Sequence, residues 1–179
     1  IVLWLTLFLT PLWFLATKNP VHVPEWLQFA LPAETGKLPI LLQLLLTEFI
    51  IDGLRMASMN TPDMLANSLS VVGGLILGDF AVSVGWLIPE VILYMAFVAI
   101  ANFTQNSFEL GYALKFLRIL LLFLVALFGG WGFLAGVVAI LLLMASNRTV
   151  NGGHSYLYPW IPFNPRALRA LYTRRRKRT

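Results

Sequence analysis

Leu69–Ile88 reads LSVVGGLILGDFAVSVGWLI. Coiled as one helix, a run of this length is about as long as a bilayer's hydrocarbon core is thick, roughly 30 Å. Gly74, Gly78, Ala81 and Gly85 recur at helical spacing, so one face of that helix is nearly bare of side chains. Gly74 and Gly78 form a GxxxG pair, which lets a second helix approach the backbone closely. Asp79 sits beside that face, near the middle of the run. A carboxylate at such depth costs about 2.5–3.5 kcal/mol on insertion scales, so Asp79 is expected to face protein or water. Two arrangements meet that requirement. One is a tightly packed helix with a satisfied or protonated Asp79; the other is a helix lining a polar path in a membrane assembly.

The rest of the chain supports a membrane setting. Of its 179 residues, 59% are hydrophobic and 12% charged, against about 25% charged in an average soluble domain. Mean hydropathy is +0.79. There is no cysteine, which removes disulfides and thiol chemistry, and His22 and His154 are too few for a histidine-rich metal site. No metal or cofactor is expected. No HExxH, GxSxG, P-loop or dinucleotide-binding glycine loop occurs, and the acidic residues lack the flanking pattern of an aspartyl dyad. No catalytic residue is therefore assigned, and an enzyme is not expected. The chain opens at Ile1 inside an apolar run, without an initiator Met or a basic leader, which predicts a piece of a longer protein rather than a signal peptide.

In chain order, Ile1–Ala16 is an apolar span with Trp4 and Trp13 toward its ends. Thr17–Lys37 is a loop with Pro20, Pro24 and Pro32, and its Trp26, Leu27 and Phe29 suit the membrane interface. Leu38–Met59 is a second helix on which Glu48, Asp52 and Arg55 share one stripe. Asp52 and Arg55 are close enough to form an ion pair. Either the stripe is a protein- or water-facing side, or Arg55 marks the cytoplasmic end with Asp52 neutralising it. Asn60–Asp63 is a turn, and Pro89 starts a shorter helix that runs to Phe103. Glu109–Phe128 follows, with Lys115 and Arg118 placed to snorkel toward the interface. Gly129-Gly130-Trp131-Gly132 breaks it, and Phe133–Ser146 is a last apolar helix. Gly132 and Gly136 form a second GxxxG pair, suited to a tight hairpin within the chain or to a contact between copies.

The expected fold is an all-α, polytopic helical membrane protein with five or six transmembrane or re-entrant helices. Its membrane domain would span 1–146, followed by a cytoplasmic aromatic and polybasic tail, 147–179. With the tail in the cytoplasm and six crossings, 11 of the 13 Lys and Arg fall inside, leaving only Lys18 and Lys37 outside. That asymmetry satisfies the positive-inside rule. Arg174, Arg175, Arg176, Lys177 and Arg178 would draw anionic lipid headgroups at about 1 kcal/mol each. A nucleic-acid arm is the rival reading of such a run; beside a membrane helix the lipid bilayer is the expected partner and nucleic acid is not.

Five stretches carry a resemblance: LRMASMNTP (Leu54–Pro62), VVGGLILGDFAVSVG (Val71–Gly85), PEVILYMAFVAIANF (Pro89–Phe103), FELGYALKFLR (Phe108–Arg118) and PWIPFNPRAL (Pro159–Leu168). Together they resemble the C-terminal membrane domain of the GerA spore-germination family. The resemblance implies a soluble domain ahead of the helices, the inner membrane of the spore or the bacterial plasma membrane, oligomerisation into an ion channel, and other germination membrane proteins as partners. By position, Asp52 stands where the family often has Glu, Arg55 matches a family Arg, and Gly73, Gly74 and Gly78 match its glycine-rich span. Asp79 stands where Gln or Glu is common. Arg118 matches an Arg after the family's Pro-x-Tyr turn, which here reads Asn106-Ser107-Phe108. The expected function is a subunit of an oligomeric cation channel, with Asp79, Glu48 and Asp52 as ion-path residues; the alternative is a non-conducting scaffold whose glycine faces hold partner subunits.

Overall fold

The computed structural model describes residues 2–34, 36–60, 74, 78–103 and 108–146. The tail 147–179, with its basic cluster Arg174–Arg178, and most of 61–77 lie outside the described residues. Among the described residues every regular element is helical. The long ones are α1 (Val2–Lys18), α2 (Ile40–Asn60), α3 (Pro89–Phe103) and α4 (Phe108–Ser146), with short 3-10 turns at Pro20–His22 and Glu25–Ala30. Two compact units divide the chain, Ile1–Phe133 and Leu134–Thr179; the second is helical over 134–146.

In the first unit α3 packs against both α1 and α2. Its start follows from Pro89, whose ring presets a helical φ and whose missing N–H lies where a helix has no partner for it. Trp13 and Phe14 of α1, Leu44 of α2, Val91 and Met95 of α3, and Leu122 and Val125 of α4 form the core. The loop after α1 is pinned to this core. Trp13 Nε1 and Tyr94 Oη both donate to the Ala30 carbonyl, at 2.7 and 3.2 Å.

Two glycines fix the path of the chain. Residues 78–83 are helical, but the helix does not run on to Ile88. The Gly85 N–H bonds to the Val82 carbonyl and the Trp86 N–H to the Ala81 carbonyl, both at 2.9 Å. With Gly85 at φ +78, this is a Schellman stop, which closes off carbonyls that a helix end leaves open. Gly85 is thus a helix terminator, which corrects its assignment to a packing face. Lys37 completes the turn, its N–H reaching the Gly85 carbonyl at 2.9 Å and its Nζ the Val84 carbonyl at 2.7 Å. Buried Gln43 ties the turn to α2: its Oε1 accepts the Ile88 N–H at 2.9 Å and its Nε2 donates to the Leu38 carbonyl at 2.7 Å.

Gly129 breaks α4 (φ 60, ψ −133), inside the expected glycine run. The break strips carbonyls of their helical partners, and the Lys18 ammonium, from the last turn of α1, donates to those of Val125 and Ala126. Past the break the backbone doubles back so sharply that a Cβ on Gly132 would overlap the Leu124 carbonyl oxygen. The glycine at 132 is therefore demanded within the chain.

Among the described residues, one helical run, Glu109–Leu143, interrupted at Gly129, is by length and composition alone long and apolar enough to cross a membrane. Pro89–Asn102 is apolar but shorter, and α2 carries three charges along its length. The first unit has an apolar core, but it also buries several polar groups and exposes large apolar ones. Thr6, Thr10, Gln43, Thr47, Glu48 and Arg118 are buried, while Phe49, Phe97, Phe116 and Leu127 are exposed. Water drives apolar surface inward; an apolar surround leaves it outside and pushes polar groups toward one another.

Candidate functional site

The acidic stripe of α2 meets bases from α4. Glu48 and Asp52 are one helical turn apart on α2; Lys115 and Arg118 are nearly one turn apart on α4. The pairs run in opposite chain directions, Glu48 with Arg118 and Asp52 with Lys115. This is the geometry of antiparallel helix faces, on which each rung is a hydrogen-bonded ion pair.

The two rungs differ in weight. Arg118 is 1% exposed. Its Nη2 donates to Glu48 Oε1, and its Nη1 reaches across to the Thr6 carbonyl of α1 at 2.8 Å. One guanidinium therefore joins three helices, a role its planar fork suits better than a lysine ammonium would. Lys115 and Asp52 keep 15% and 21% side-chain exposure. This pair is less buried and joins only two helices. Arg118 is the structural keystone and Lys115 the lesser rung. The expectation that both would snorkel to the interface is overturned for Arg118. Its charge is neutralised by Glu48 in the interior, so it has no need to travel.

Arg55 lies over the Tyr112 ring, 5.5 Å from its centroid, and the partner in the ion pair of Asp52 is Lys115. Between these groups, Asn102 and Val98 lies a polar cavity of about 20 Å³, room for about one water molecule. Measured along α2 from Ile40, Glu48 and Asp52 lie about 12 and 18 Å in.

Asp79 is not part of this cluster. It is exposed on the helical residues 78–83, next to exposed Phe80. Gly74 faces α2, where a Cβ would meet Leu54 Cδ1 at 4.0 Å, whereas a Cβ on Gly78 would meet nothing within 4 Å. Gly136 lies in the second unit, in the helical stretch 134–146. The sequence reading missed the pairing of Glu48 with Arg118 and the bracket made by Gln43. A signal for the first was present: two acids and two bases, each set spaced by a turn, on two otherwise apolar helices.

The pattern of the Bacillus/Clostridium GerA spore germination proteins matches residues 1–179. The chain is similar to stage V sporulation protein AF of Bacillus subtilis, 38% identical over 96% of this chain and 34% of that protein. Spore germination protein KA of the same organism is 26% identical over 73% of this chain and 24% of that protein. The uncharacterized membrane protein YfkQ, also from Bacillus subtilis, is 26% identical over 76% of this chain and 26% of its own length. The chain thus spans between a quarter and a third, roughly, of the curated relatives it matches. No solved structure matches it. A relative described as a membrane protein, together with the long apolar helix, points to a membrane location. With the whole chain matched by the family pattern, the protein belongs to the GerA family of spore germination proteins.

Proposed function

We propose that this chain is the non-enzymatic, polytopic membrane part of a germination subunit. It assembles with copies of itself and with other germination membrane proteins in the spore inner membrane, its C-terminal tail on the cytoplasmic side, and the assembly conducts cations. The apolar side chains that α1, α2 and α3 turn outward support several passes. The names of its relatives support the germination role.

One observation carries the conducting role. Asp79 is exposed beside apolar Phe80, so among the described residues nothing covers this carboxylate set in an apolar run. Such a group belongs against protein or water. Rings of carboxylates draw cations into pores. Glu48 and Asp52 drop out of the ion path on this reading, because Arg118 and Lys115 neutralise them within the chain.

At an effective dielectric near 20, a carboxylate lining a path attracts a monovalent cation by an energy on the order of 1 kcal/mol. Asp79→Asn in the full-length protein is therefore expected to slow cation release from germinating spores by roughly tenfold. Unchanged release at normal protein levels would remove Asp79 from the path.

The internal neutralisation of Glu48 and Asp52 favours a second reading, a scaffold that holds partner subunits without conducting. There the open face at Gly78 is the interface, as a Cβ meets nothing within 4 Å inside the subunit. Gly78→Leu should then abolish co-purification of partner subunits while the protein keeps its abundance and thermal stability. Full co-purification with this variant would rule out that face.

A further inference from the structure

The cluster between α2, α3 and α4 is incompletely satisfied by protein. Arg118 Nε is buried and, among the described residues, has no hydrogen-bond partner, although both of its terminal nitrogens are bonded. Asn102 Oδ1 is buried on α3 in the same condition. One is a donor and the other an acceptor, and both residues line the same cavity of about 20 Å³. A group that both accepts and donates, of the size of one water, matches this pair. An anion would satisfy Arg118 Nε and be repelled by the Asn102 oxygen. A cation would satisfy the Asn102 oxygen and be repelled by the Arg118 Nε–H, in a cavity where three basic side chains outnumber the two acids Glu48 and Asp52.

We propose that this cavity is a binding site for a single ordered water. The water accepts the Arg118 Nε–H and donates to Asn102 Oδ1, linking the Glu48–Arg118 pair to α3. It supplies the bond that the ion pair lacks: each unmet buried polar group destabilises, and a buried water relieves several at once. The Lys115–Asp52 rung lines the same cavity.

The test uses the full-length protein in lipid nanodiscs. Asn102→Leu fills the cavity and displaces the water, leaving Arg118 Nε bare. The thermal midpoint should fall by roughly 3–8 °C. In a dry cavity the same substitution would remove an unsatisfied acceptor and fill a void, and the midpoint would rise. A rise, or no change, overturns the proposal. Should the variant fail to fold, a map of the unaltered protein at a resolution that shows waters decides. Density for one water within hydrogen-bond reach of both atoms supports the site. An empty cavity, or a halide revealed by anomalous scattering after bromide exchange, overturns it.

Discussion

Arg118→Leu is expected to destabilise the membrane part by about 3–5 kcal/mol, the cost of leaving one partner of a buried ion pair uncompensated. Glu48 would then sit charged or protonated against an apolar neighbour, and the Thr6 carbonyl would lose its cross-helix donor. The double variant Glu48→Leu/Arg118→Leu should recover most of that loss, because two apolar side chains of similar volume need no countercharge. The measurement is a double-mutant cycle on thermal or denaturant unfolding of the full-length protein. If the losses of the two single variants simply add in the double, Glu48 and Arg118 are not coupled and the keystone role assigned to Arg118 fails. The corresponding cycle at Lys115 and Asp52 should give a smaller coupling, as that pair is less buried.

Gly132→Ala is expected to be as damaging through backbone geometry alone. The new methyl would overlap the Leu124 carbonyl oxygen and lie 3.0 Å from Phe128 Cβ. A carbonyl oxygen on a helix cannot rotate aside as a side chain can, so the turn at Gly129 must open. The loss should reach about 3 kcal/mol, the upper end for forcing atoms into a packed site. Gly130→Ala is the internal control, since a Cβ there would meet nothing within 4 Å. It should be neutral, or stabilising by up to about 1 kcal/mol through better helix propensity. Equal effects at positions 130 and 132 would show that the close approach is absent.

The contrast between these sites marks what a single sequence discloses. The long helices, the start at Pro89 and the break within Gly129–Gly132 were legible, because they depend on residues a few positions apart. Proline withholds a donor and glycine permits a turn wherever the fold places them. Gly85 misled because it fits both a helical stripe and a stop. Only the bonds from Gly85 and Trp86 back to Val82 and Ala81 separate the two. The acid stripe on α2 was legible as a stripe, but its partners lie about 60 to 70 positions downstream. Which face of α4 turns toward it depends on how the helices pack, which no local rule encodes. Gln43 carries no local signal in the sequence, and it is the bracket that holds the residue just before α3.

The Glu48–Arg118 pair also bears on how the protein is made. Synthesis runs from the N-terminus, so α2 leaves the ribosome some seventy residues before the arginine that will neutralise it. In that interval Glu48 must stay protonated, remain within the insertion machinery, or lie against another protein. A nascent chain halted before Arg118 would therefore be a ready client for membrane quality control. Completing α4 would be the moment at which it ceases to be one.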